Sequence, residues 1–147
     1  MRLALAGLFV LALTLSAVAE EATPIGRWVM VSEKTGEARG ELEIKENAGK
    51  LTGTIVKLYS RPGAPAVSLC RHCTGADKDK PILGLTLLWG LTRTKDGWGG
   101  GSILDPNTGL VYSAKIHVID GGRKLDVHGY IGLSIIGRSQ IWSRASD

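Results

Sequence analysis

Beyond residue 24 the chain alternates apolar and polar residues in short runs, each closed by Gly, Asn, Asp or Pro. This is the pattern of half-buried β-strands, and no segment of it carries a helical period. The runs predict strands over 25–32, 40–46, 51–60, 82–92, 98–104, 110–119, 124–131 and 135–144. Asn47-Ala48-Gly49, Lys95-Asp96-Gly97, Asp105 to Gly109 and Asp120-Gly121-Gly122 supply left-handed turn chemistry between successive runs. Consecutive hairpins predict an all-β fold, an eight-stranded up-and-down antiparallel β-barrel.

Strand parity sorts the faces. Tyr112, Ala114, Ile116 and Val118 oppose Ser113, Lys115 and His117, while Leu42 and Ile44 oppose Glu41, Glu43 and Lys45. The last run differs, because Arg138, Gln140, Trp142 and Arg144 share one parity. Such a face either lines a partly polar lumen or forms an outer wall carrying one tryptophan.

Ahead of the barrel pattern lie Arg2, an apolar run from Leu3 to Leu15, and Ala17-Val18-Ala19 before two glutamates. That is a secretory signal with cleavage predicted after Ala19, and its apolar run falls short of the roughly 20 residues of a spanning helix. The chain then divides into a cleavable leader, 1–19, and one domain, 20–147, that is periplasmic or secreted and has no integral membrane association. The 18 Lys and Arg against 14 Asp and Glu give a charge of +4, or +3 once Arg2 is removed. With no basic run, nucleic acid is excluded as a partner, although anionic lipid head groups are not.

One long connection, 60–82, carries Pro62, Pro65, Pro81, both cysteines and Asp77-Lys78-Asp79-Lys80. Long connections in small domains are often functional, and one in a barrel can close a mouth. Its Cys70-Arg71-His72-Cys73 admits a structural disulfide, suited to an oxidising compartment, or a redox pair, which would need a helix start in a βαβ unit. Metal binding by Cys70, His72 and Cys73 would need a fourth ligand from Asp77 or Asp79. Haem attachment is excluded because Thr74, not His, follows Cys73. The disulfide is the expectation, with no metal and no cofactor.

His117 and His128 lie on polar faces, His128 beside Asp126, but no nucleophile motif accompanies them and the reading is non-catalytic. Gly99-Gly100-Gly101 is followed by a strand, so it is no phosphate cradle; it thins the wall beside Trp89 or Trp98. With no Phe after the leader, Trp28, Tyr59, Trp89, Trp98, Tyr112, Tyr130 and Trp142 must supply the large core volume. Arg138 and Arg144, close to Trp142, are candidates to cap an indole face.

Gly26-Arg27-Trp28, together with the basic residue after Trp142, resembles the lipocalin and fatty-acid-binding pattern, in which a first-strand Gly-x-Trp packs against a C-terminal Arg. The resemblance implies barrel closure by Gly26, Trp28 and Arg144. A wider match runs through Cys70-x-x-Cys73-x-Gly75, Pro81-Ile82-Leu83-Gly84 and Leu85 to Trp89. It continues through Trp98, Gly100, Ile103 to Pro106, Gly109, Tyr112, Leu125-x-Val127-x-Gly129-Tyr130-Ile131-Gly132 and Gly137-Arg138-x-Gln140-x-Trp142-x-Arg144. These residues, spanning about 24–144, resemble a family of exported bacterial proteins catalogued as domain of unknown function twenty-one forty-seven. The resemblance implies a lipocalin-like barrel and assigns no activity. A barrel of this size holds one small ligand, such as a fatty acid or lipid. Arg138 and Gln140 are then expected at its head group, and Trp89, Trp98, Tyr112, Tyr130 and Trp142 along its wall. The alternative is a structural or protein-interaction module of the cell envelope whose interior is packed and whose function lies in the 60–82 connection.

Overall fold

The computed structural model describes residues 22–65 and 68–146; the predicted leader, 1–19, lies outside the described residues. Strands β1 (Gly26–Val31), β2 (Ala38–Asn47), β3 (Lys50–Leu58), β4 (Thr86–Thr94), β5 (Gly97–Leu104), β6 (Val111–Ile119), β7 (Lys124–Tyr130) and β8 (Gly137–Arg144) follow in chain order. Each pairs antiparallel with its neighbours, and β1 returns to β8 to close the barrel. Among the described residues, the helical elements are two single 3-10 turns, Gly75–Asp77 and Asp120–Gly122.

Closure buries most inward-facing apolar side chains. Trp28, Leu42, Ile44, Leu51, Ile55, Leu88, Leu91, Ala114, Ile116, Leu125, Val127 and Trp142 form one apolar core. At Gly53 an added Cβ would lie 2.6 Å from Leu42 Cδ2, so the interior has no room for even a methyl group there. Consecutive hairpins place the β2–β3, β4–β5 and β6–β7 turns at one end with the start of β1 and the end of β8, and the remaining connections at the other.

The terminal end is shut. Trp28, fully buried, donates its indole N–H to the Pro24 carbonyl at 2.8 Å. Arg144 lies over that indole at 4.0 Å and donates to the carbonyls of Gly122, Ile25 and Thr23 at 2.7, 3.0 and 2.8 Å. Gly26 makes room for it: its φ is 121°, and a Cβ there would stand 3.0 Å from the guanidinium. Arg144 therefore stacks on Trp28, not on Trp142.

The 60–82 connection is tied to the barrel's flank. Cys70 and Cys73 form a disulfide and are both buried. The Cys70 sulfur lies 3.7 Å from the Pro106 carbonyl, and a Cβ on Gly109 would strike the His72 backbone. Leu87 and Leu104 have outward parity on β4 and β5 yet are 5% exposed, so the outer wall here carries its own apolar layer. Strand β4 begins at Thr86, four residues after the predicted Ile82, because residues 81–84 form a turn with Gly84 at φ 89°.

Glu41 has outward parity on β2 but is 4% exposed. It accepts hydrogen bonds from Tyr59 Oη at 2.9 Å and Arg27 at 3.2 Å, with Lys57 Nζ at 3.3 Å. The Tyr59 hydrogen bond, helped by Lys57 and Arg27, lowers its pKa from 4.5 against the opposing effect of burial. A carboxyl with a lowered folded pKa stabilises the fold above its unfolded pKa and loses that contribution as pH falls through the folded value. Urea midpoints measured between about pH 6 and pH 3 should therefore fall on acidification, and less steeply in Glu41→Gln. Equal slopes would show that the cluster is not linked to acid stability.

Candidate functional site at the open end of the barrel

Strands β1 and β8 are paired at Trp28↔Arg144 and Val29↔Ser143, near the closed end. A register shift between Met30 and Val31 then turns β1 toward β2, and the 32–37 turn holds it there through Ser32 N–H to Glu37 O at 2.9 Å. The two strands part, leaving a cleft of about 520 Å³ lined by Val31, Ser32, Glu33, Arg138, Ser139, Gln140 and Ile141.

Three of the residues expected to form a site meet here. Trp142 is buried beneath the cleft and donates its indole N–H to Gln140 Oε1 at 2.8 Å. The Gln140 amide donates to Glu33 Oε1 at 3.0 Å, and Arg138 donates to Glu33 Oε2 at 3.2 Å. One carboxylate thus engages both polar groups expected to hold a head group. The Arg138 side chain is 83% exposed and that of Glu33 44%, so the pair lies at the solvent-facing rim of the cleft. Glu33 was not among the expected residues; it stands 105 positions from Arg138, and no local spacing signals the pairing.

The other expected residues lie elsewhere. Trp89 pairs with Thr52 and Ser102 on the outer face, because Gly90, at φ 75°, inserts an extra residue between the inward Leu88 and Leu91. Tyr130 is also on the outer face, its ring 5.7 Å from that of His128. It borders a groove of about 250 Å³ with Lys115, His117 and Ser134. Trp98 has inward parity opposite Ile116, with Arg93 over its ring at 5.7 Å, but it stands beside the β4–β5 turn, toward the closed end. Tyr112 is half-buried opposite Ile103, on the same parity as Ala114. Trp89 and Tyr130 therefore form no part of a luminal wall.

Catalytic geometry is sparse. His128 Nε2 donates to the Ser134 carbonyl at 2.7 Å, since a carbonyl can only accept, and Nδ1 hydrogen-bonds Ser139 Oγ at 2.9 Å. The pair braces the β7–β8 connection. Among the described residues, no group of three His, Cys, Asp or Glu is placed to hold a metal ion.

The architecture has a solved counterpart. A structure described as "Protein HP1028 from the human pathogen Helicobacter pylori belongs to the lipocalin family" superposes with a TM-score of 0.72 at 17% identity, covering 86% of this chain and 85% of its own. No curated protein sequence matches the chain. The family described as "Uncharacterized protein conserved in bacteria (DUF2147)" matches residues 26–144. The chain belongs to that family, and its closed eight-stranded barrel is lipocalin-like.

Proposed function

We propose that this protein is an exported, non-catalytic binding protein for a small amphipathic ligand, a fatty acid or lipid, held at the open end of the barrel. The β1–β8 cleft carries the reading. Its volume suits a small molecule, its walls mix Val31 and Ile141 with polar groups, and a guanidinium and an amide converge on one carboxylate position. The leader pattern supports a periplasmic or secreted location. The core beneath is filled, so the ligand's tail lies along the seam and not in a deep lumen.

Glu33 competes with an anionic head group for Arg138. Glu33→Gln removes both the competitor and a like charge, and should tighten binding of an anionic amphiphile by about fivefold, whereas Arg138→Ala should weaken it at least about tenfold. Titration calorimetry with a medium-chain fatty acid reads both. Native mass spectrometry of the protein from its own cells, with organic extraction, identifies the ligand. The filled core favours a second reading, a structural or interaction module of the envelope. A clean apo mass that persists after lipid challenge, with no heat of binding, would select it.

A further inference from the structure

We propose that the open end of the barrel docks onto an anionic lipid bilayer, with the β7–β8 connection as the inserted tip. Between Gly129 and Gly137 the chain carries no charged residue. Ile131, Leu133, Ile135 and Ile136 are 66, 68, 87 and 65% exposed there. Single exposed apolar residues are ordinary, but a cluster of large ones in one connection marks a contact site. Leu110, on the adjacent β5–β6 connection, and Leu83, on the β3–β4 connection, are also exposed at 52 and 54%. The tip is held in shape, since His128 bonds the Ser134 carbonyl and Ile136 N–H reaches the Leu133 carbonyl at 3.0 Å.

The charges of this end identify the partner. Each of its carboxylates among the described residues is engaged: Glu33 with Arg138, Glu37 with Arg39, Asp77 with Lys80, Asp79 with Lys78, and Asp105 within its own turn. Lys34, Arg61 and Arg71 are exposed and make no ion pair with any described residue. Asp105 is held only by neutral donors, but with Arg39 and Arg138 the seven cations of this end still outnumber its five carboxylates. Apolar side chains accompanied by cations on other connections complement an anionic bilayer, where the apolar groups enter the acyl boundary and the cations meet head-group phosphates. Such docking would set the mouth of the β1–β8 cleft against the lipid.

Co-sedimentation of the chain 20–147, which carries every strand of the closed barrel, tests this. The probes are vesicles of mixed phosphatidylglycerol and phosphatidylcholine, and of phosphatidylcholine alone. Binding to the anionic vesicles should weaken with added salt. Leu133→Asp with Ile135→Asp should abolish it, and Arg61→Gln and Arg71→Gln should each reduce it about fivefold, with circular dichroism unchanged in all variants. The proposal is overturned by equal binding to neutral vesicles, by binding that survives the aspartates, or by failure to sediment with either. Sedimentation velocity without vesicles reads the competing occupant: a tip-dependent dimer would assign the surface to a second copy of the chain and would equally overturn it.

Discussion

Trp28→Ala should lower the unfolding free energy by about 3 to 5 kcal/mol and Tm by roughly 10 to 20 °C, the largest effect expected of any single side chain here. Trp28 fills the closed end completely, so truncation leaves a cavity bounded by strands that cannot collapse into it without breaking the β1–β2 and β1–β8 ladders. It also removes the donor to the Pro24 carbonyl and the surface on which Arg144 rests. Arg144→Ala should be milder, about 1 to 3 kcal/mol, because the carbonyls of Thr23, Ile25 and Gly122 lie near enough to the surface for water to replace the guanidinium. Arg144→Lys should recover little, since an ammonium cannot span three divergent carbonyls and stack as a plane. Urea denaturation of both single variants and the double variant isolates the stacking, with an expected coupling of about 0.5 to 2 kcal/mol. Strictly additive losses would show that the cation and the indole merely adjoin.

How far the residues foretell this molecule depends on whether each property is local. Strand count, order and most boundaries follow from alternation and turn chemistry, both confined to a few neighbouring residues. Parity also places Ala114, Ile116, Leu42 and Ile44 in the core, where the structure has them. Trp89, expected along the ligand wall, is turned outward beside the inward Leu88, because Gly90 adds a residue within β4. Aromatic type misleads at Tyr130, whose parity with Asp126 and His128 already assigns it outward. Residues 82–85 read as strand because they are apolar, yet Gly84 N–H bonds the Ile55 carbonyl at 2.9 Å within a turn. The cleft is the least local feature of all. Arg138, Gln140 and Trp142 share a parity that the sequence displays, but the parting of β1 from β8 arises from a bulge, and Glu33 reaches them only after the barrel closes.

Two glycines in one strand should respond very differently to the same substitution. Gly101→Ala should destabilise the barrel by about 3 kcal/mol or more, whereas Gly99→Ala should change stability by less than about 0.5 kcal/mol. Neither glycine has a left-handed φ, so backbone strain is not the cause. A Cβ on Gly101 would stand 2.4 Å from the Trp89 carbonyl oxygen and 2.6 Å from the Leu91 nitrogen. These atoms belong to the bulged strand opposite, which can retreat only by opening the β4–β5 pairing. A Cβ on Gly99 would meet Thr94 Cγ2 at 3.5 Å and Lys115 Cβ at 3.6 Å, both ordinary contacts. Thermal denaturation of the two variants side by side reads the difference. The bulge at Gly90 moves Trp89 outward and carries the β4 backbone in against β5, so Gly101 is required by the same irregularity that keeps Trp89 out of the expected wall. Equal stability of the two variants would mean that β4 yields at Gly90, and that the bulge is a soft point in the wall and not a fixed part of its closure.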